Sequence, residues 1–393
     1  MLATVGAMSE TVEIQGTVAD GFEAVADAFE RNFAEHGELG AAFALYVDGQ
    51  PKVDIWGGIA DKSTGRPWTD DTLQLVYSTT KGAAAICVAR LVEAGKVRYD
   101  DRVADHWAEF AANGKQDITV GQLMSHQAGL AYTTQQMTVD EIMAVTPVVE
   151  ALAAQAPLWD PGTAHGYHAL TYGWLAGELV RRVDGRRIGQ YFADEVAAPL
   201  GLDFWIGLPE SEEPRVSRLE NSAPPTDPES FALMMTIMGP GTPGFMALTM
   251  GGTMAAVEGG FNSRAVHATE MPAANGITTA RSLARMYAAT IGEVDGVRLI
   301  DDDTVTAVRA EQVSGTDRSL TMPTRFGMGF MLDGEFSMML GPGSFGHPGA
   351  GGSLGYADPE SGVGYGYVMN QMAGSLAGDP RTVALNEAVR ACL

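Results

Sequence analysis

Lysine is scarce in this chain and unevenly placed: Lys52, Lys62, Lys81, Lys96 and Lys115 are all there are, and no lysine follows residue 115. Chemistry that needs an amine must find it in the N-terminal third. Cysteine is scarcer still: Cys87 and Cys392 are too few for a disulfide framework, and Cys87, in an apolar helical stretch, reads as a small buried hydrophobe. No run approaches the ~18 apolar residues of a membrane span. The N-terminal MLATVGAMSETVEIQG has neither a basic n-region nor a long apolar stretch, so it does not read as a secretory signal. Together these absences point to the cytoplasm. Positive charge is short overall: the formal net charge is −24. That argues against nucleic acid and anionic membranes as partners and makes a highly anionic substrate unfavourable. There is no dinucleotide fingerprint and no P-loop, and His165-x-x-His168 lacks an evident third ligand for zinc. No cofactor and no metal are expected.

What is present is a globular composition: 393 residues, 46% hydrophobic and 19% charged, long enough for one large or two closely packed domains. Residues 18–36 place Phe22, Val25, Phe29 and Phe33 at helical spacing. Two apolar runs then flank Asp48-Gly49, the mark of a hairpin. LQLVYS at 73–78 leads into AAAICVARLVEAG, apolar nearly all round until Arg90 and closed by Gly95; a helix without a polar face is a buried one. ITVGQLMSHQAGL reads as a helix ended by Gly129, and LTYGWLAGELVRRVDG as one ended by Gly185. Residues 208–230, polar and proline-rich, read as an exposed loop. Residues 231–254 hold Met234, Met235, Met238, Met246, Met250 and Met254, either an adaptable apolar surface or ordinary core filling. An amphipathic helix follows from residue 279, then alternating strands and turns from 326, then a last helix, RTVALNEAVRACL. Strands at both ends with helices between predict an α+β chain. One domain comes from residues 1–100 and 270–393, and a mainly helical insert, 101–269, brings its Met/Gly-rich stretch to the site.

Two serines stand in motifs that carry chemistry. Ser78-Thr79-Thr80-Lys81 is S-x-x-K. At this spacing on a helix the two side chains share a face, the serine lies at the positive helix end, and a lysine in an apolar helix is desolvated toward its neutral, basic form. The bland alternative is a capping serine with an incidental lysine. The rival is Gly351-Gly352-Ser353-Leu354-Gly355, which spells the nucleophile elbow of α/β-hydrolases. That elbow requires a helix after the serine, whereas a turn, Asp358-Pro359-Glu360-Ser361-Gly362, and a strand-like run follow here. Ser78 is therefore the candidate nucleophile.

Four blocks carry a resemblance. YSTTKGAAAICVARLVEAGKVRYDDRV, ITVGQLMSHQAGL, PGTAHGYHALTYGWLAGELVRRVDG and FGHPGAGGSLGYADP resemble, in order, segments of the group of class C β-lactamases, DD-peptidases and family VIII carboxylesterases. The resemblance covers the chain from about residue 40 onward. It implies a β-lactamase-like fold, with an antiparallel sheet flanked by helices beside a mainly helical domain. It also implies Ser78 as nucleophile, Lys81 as its base partner and Tyr167 as proton carrier, with the backbone N–H groups of Ser78 and Ala350 as oxyanion hole. A phenol beside a cation is expected to have a lowered pKa.

Two departures separate this chain from the lactamases. The family's Y-x-N is here Tyr167-His168-Ala169, and its K-T-G is His347-Pro348-Gly349. The lysine that helps hold a substrate carboxylate is missing, and only an arginine such as Arg264, Arg285 or Arg325 could replace it. The expectation is a serine carboxylesterase whose partner is a small neutral ester of short or medium acyl chain, touched by His347, Gly349, His168 and Met250. A β-lactamase, a D-amino-acid amidase, an acyltransferase and a non-catalytic binding protein are the alternatives, and homo-oligomerisation is left open.

Overall fold

The computed structural model describes residues 12–222, 226–374 and 378–393. The N-terminal stretch read for a signal, up to residue 11, and residues 223–225 of the predicted loop lie outside them.

The N-terminal helical pattern forms α1 (Glu23–Glu35), between β1 (Gln15–Val18) and β2 (Gly40–Val47). Asp48 and Gly49, at φ 50° and 73°, adopt the left-handed backbone that a two-residue hairpin requires, and β3 (Gln50–Asp61) returns along β2. The C-terminal part contributes β4 (Val313–Thr316), β5 (Pro323–Phe326), β6 (Met331–Leu332), β7 (Phe345–Pro348), β8 (Leu354–Asp358) and β9 (Val363–Met369). Among the described residues these strands run in the order β1-β3-β2-β9-β8-β7-β6-β5-β4, and the pairing of β9 with β2 joins the two ends of the chain. Every neighbour along this path is antiparallel.

The sequence of β9, VGYGYVM, shows how the sheet is sandwiched. Alternate residues face opposite sides of a strand. Tyr365 and Tyr367 enter the cluster that holds Val25 and Phe29 of α1 and Leu385 and Val389 of α7 (Pro380–Cys392). Gly364 and Gly366 face α6 (Ala280–Ile291), so closely that a Cβ would lie 2.5 Å from Ala288 N at the first and 2.4 Å from Ala280 O at the second. Glycine on one side lets a helix lie on the backbone. Tyrosine on the other fills the core, where burying a ring of that size stabilises by roughly 2–3 kcal/mol. The next layer repeats the device. A Cβ on Gly82 of α2 (Thr80–Glu93) would sit 1.9 Å from the Tyr287 hydroxyl of α6. α2 is thereby pressed against α6 on one side and packs with α3 (Thr171–Asp184) on the other, with every residue from Thr80 to Ala89 buried.

Three expectations change in the structure. The helix predicted to reach Gly129 stops at Met124, because His126 takes a left-handed backbone at φ 63°. The stretch 208–230 is not simply an exposed loop: Leu208 and Leu219 are buried with Leu73, Leu75 and Ile277, and Ser217 N donates to Leu73 O at 2.7 Å. The Met-rich stretch forms two helices, α4 (Pro228–Met238) and α5 (Pro243–Thr249). No single helix among the described residues is long and apolar enough to cross a membrane; α4 and α5 reach that length only together, across a bend of 71°.

Candidate active site

Ser78 lies in the turn that opens α2, after Tyr77, whose backbone is left-handed at φ 44°. Lys81 sits one turn on and is fully buried. Its Nζ lies 3.1 Å from Ser78 Oγ, 2.7 Å from the Ala169 carbonyl oxygen and 2.9 Å from that of Ala273. Burial holds the amine's pKa well below its ordinary value. A neutral amine has two hydrogens and one lone pair. In that neutral form the two carbonyls accept its hydrogen bonds and the lone pair is left for the serine hydroxyl.

Tyr167 is 5% exposed. Lys81 Nζ lies 4.6 Å from its ring centre. Its hydroxyl is 3.4 Å from His347 Nε2. His347 Nδ1 lies 2.7 Å from the Pro348 carbonyl, which can only accept, so Nδ1 carries the hydrogen and Nε2 is the acceptor facing the phenol. Burial lowers the His347 pKa to about 3, which keeps the ring neutral. The expected lowering of the Tyr167 pKa does not occur. Burial pushes the phenol well up and a hydrogen bond with Ser78 offsets only part of it. Lys81, its own charge disfavoured by the same burial, is not the cation that expectation assumed. The residue is held by its backbone: Tyr167 N donates to Asp317 Oδ1 at 2.9 Å.

The third block closes the site. Gly349 packs one side of its Cα against the nucleophile segment. A Cβ there would fall 2.1 Å from Ser353 Oγ and 2.2 Å from Val76 O, so its bare Cα is the surface on which the nucleophile segment rests. Ser353 is buried, donates to Val76 O at 2.9 Å, pairs with Thr79 Oγ1 at 3.1 Å and is followed by β8, not by a helix. It is a clasp between two segments and has no elbow geometry. Ala350 is exposed, and among the described residues neither its N–H nor that of Ser78 donates to a protein acceptor.

Two further expectations are corrected by position. Both ring nitrogens of His168 are committed inside the protein, Nδ1–H to Gly166 O at 2.7 Å and Nε2 as acceptor from Leu130 N at 2.9 Å, so the ring has nothing to offer a substrate. Met250, just past the end of α5, is buried in the main core, whereas Ala247 and Leu248 of α5 belong to the cluster that contains Tyr167. The arginines considered as replacements for the missing lysine are engaged elsewhere: Arg264 with Glu213, Arg285 with Asp295, Arg325 with Glu311. Three features escaped the sequence reading: the carbonyls of Ala169 and Ala273, the carboxylate of Asp317, and the buried Arg381. Carbonyls leave no mark in a sequence, and Asp317 sits in an ordinary turn composition, Gly-Thr-Asp-Arg-Ser.

The chain matches the beta-lactamase family over residues 25–388. It is 38% identical to the esterase/beta-lactamase LipL of Mycobacterium tuberculosis over 369 residues, 90% of this chain and 82% of that one. A solved family VIII carboxylesterase superposes with a TM-score of 0.85 at 41% identity, covering 97% of this chain and 100% of the other. EstA from Arthrobacter nitroguajacolicus Rue61a superposes with a TM-score of 0.84 at 33% identity, covering 96% and 99%. On sequence, on fold and over nearly its whole length, this chain belongs to the β-lactamase family of serine hydrolases.

Proposed function

We propose that this chain is a carboxylesterase that hydrolyses neutral esters of short or medium acyl chain through an acyl-enzyme on Ser78. The observation that carries the reading is the threefold contact of Lys81 Nζ, with two carbonyls and the serine oxygen. Ser78 Oγ attacks the acyl carbonyl while its proton passes to the Lys81 amine. The N–H groups of Ser78 and Ala350 hold the oxyanion. The C–O bond to the leaving group breaks and the departing alkoxide takes the Tyr167 proton, which the Lys81 ammonium restores to the phenolate. A phenol with a raised pKa suits that role, because it stays protonated until an alkoxide demands the proton. Water then attacks the acyl-enzyme, its proton leaves by the same groups, and Ser78 Oγ departs reprotonated.

Neutral esters are favoured because His347, where lactamases of the family have a lysine, is neutral and turned to Tyr167. The esterase name of LipL and the solved family VIII carboxylesterase agree with this reading. A second reading, β-lactam hydrolysis, is favoured by Arg318, an exposed guanidinium 5.7 Å over the Trp159 ring beside the tyrosine segment, where an anionic substrate could meet a cation. Turnover of p-nitrophenyl butyrate, nitrocefin and a D-alanyl peptide separates the two. Ester turnover is expected to dominate and to vanish in Ser78→Ala; dominant lactam turnover that Arg318→Ala abolishes would reverse the choice.

A further inference from the structure

A buried ionic cluster lies beneath the turn Gly349-Ala350-Gly351-Gly352. Arg381, 2% exposed at the start of α7, donates from Nη2 to the Gly351 carbonyl at 2.6 Å and from Nη1 to the Gln371 carbonyl at 2.8 Å. Asp379 takes the other edge of its guanidinium, with Nη2 to Oδ2 at 2.7 Å, and Glu38 Oε1 accepts from Nη1 at 3.1 Å. The Tyr367 hydroxyl donates to the second Glu38 oxygen. Gly351 and Gly352 have φ of 85° and 126°, backbone that only glycine adopts readily. A Cβ on Gly352 would meet Asp379 Oδ2 at 2.3 Å and Arg381 Nη2 at 2.6 Å, so this part of the turn rests directly on the ion pair. Gly352 N in turn donates to Gly349 O at 3.1 Å. That carbonyl belongs to the same rigid peptide plane as the Ala350 N–H.

We infer that Arg381 is a positioning residue for the oxyanion hole: by clamping Gly351 and Gly352 onto the buried Arg381–Asp379–Glu38 cluster it orients the 349–350 peptide and aims the Ala350 N–H at the reacting carbonyl oxygen. The inference rests on the oxyanion role proposed above for Ala350. A glycine-rich turn has no conformational preference of its own that would hold such a donor in place. The planar fork of an arginine reaches the Gly351 and Gln371 carbonyls and Asp379 at once, which a lysine cannot do. Arg381 acts from beneath the turn, touching neither substrate nor Ser78.

The experiment compares an ester with its thionoester, whose sulfur fits an oxyanion hole poorly, in the full-length enzyme and in Arg381→Lys and Arg381→Ala. The wild type should prefer the oxygen ester strongly. Arg381→Lys keeps a cation between Glu38 and Asp379, and with it the fold, as circular dichroism will report. It should lose about tenfold to a hundredfold in kcat with KM within about twofold, and should lose most of the oxygen preference. Millimolar guanidinium should restore part of the activity of Arg381→Ala and none to Arg381→Lys, whose side chain fills the space. A folded Arg381→Lys with wild-type kcat and undiminished oxygen preference would overturn the inference while leaving the oxyanion hole standing. A wild type indifferent to sulfur would remove the oxyanion reading itself, and this inference with it.

Discussion

Asp317 Oδ1 accepts the backbone N–H of Tyr167 at 2.9 Å across 150 residues of sequence. The same oxygen accepts from Ser319 N at 2.7 Å and Leu320 N at 2.8 Å, and the carboxylate is fully buried. Removing it strands three backbone donors away from water, and each buried, unsatisfied group costs about 1–3 kcal/mol. Asp317→Ala is therefore expected to lower stability by about 3–5 kcal/mol and to reduce kcat by loosening Tyr167. Urea unfolding measures the first quantity. A loss below about 1 kcal/mol would show that the carboxylate is not what anchors the tyrosine segment.

The titrations at the site predict a one-sided pH profile. Ser78 can give its proton only to an uncharged Lys81, whose pKa is lowered by burial, so kcat/KM should rise with pH as that amine deprotonates. Burial raises the Tyr167 phenol, so its ionisation should produce no fall in rate below pH 10, near the ordinary phenol value. The rate measured from pH 5 to 10 should climb to a plateau. A bell whose alkaline limb disappears in Tyr167→Phe would contradict the raised phenol.

Glu38 should make stability itself depend on pH. Burial raises its carboxyl from an ordinary 4.5 to about 7, against the pull of Arg381 and the Tyr367 hydrogen bond, with Asp379 adding to the rise. A carboxyl whose folded pKa is raised contributes stability that is fully present below pH 4.5 and lost as pH climbs through 7. The amount at stake is on the order of 3 kcal/mol. Denaturation at pH 5, 6, 7 and 8 should show this decline in the wild type and a flatter trend in Glu38→Gln; parallel curves for the two would refute it.

Gly349→Ala and Ser353→Ala separate packing from chemistry. The alanine Cβ at 349 would press on Val76 O and Ser353 Oγ, displacing the nucleophile turn. Labelling of Ser78 by a fluorophosphonate should slow by tenfold or more, with about 1–3 kcal/mol of destabilisation from overpacking. Ser353→Ala loses two buried hydrogen bonds, to Val76 O and Thr79 Oγ1, each worth about 1 kcal/mol, and should keep most of its labelling rate. Abolition of labelling in Ser353→Ala alone would return that serine to candidacy as nucleophile.

The order of elements, the buried α2 with Lys81 in its first turn, and the family were legible in the chain itself. Each rests on local pattern: hydrophobic period, Asp-Gly and glycine stop signals, and motifs a few residues long. The alternation of glycine and tyrosine in β9 also stands in the sequence, but its two packing partners come from residues far away. What the sequence could not express are contacts made by anonymous backbone. The Ala169 and Ala273 carbonyls that accept hydrogen bonds from Lys81, the peptide plane under Ala350, and the left-handed His126 that ends a helix early all depend on which distant segments fold together. The direction of the Tyr167 pKa was likewise a tertiary matter, since composition names the neighbouring amine whereas burial decides whether either group is charged. Local periodicity and a short motif were enough to name a serine and a lysine, and the family resemblance named the tyrosine; only the assembled core, by excluding water and supplying backbone acceptors, set which way their pKa values move and therefore what each can do.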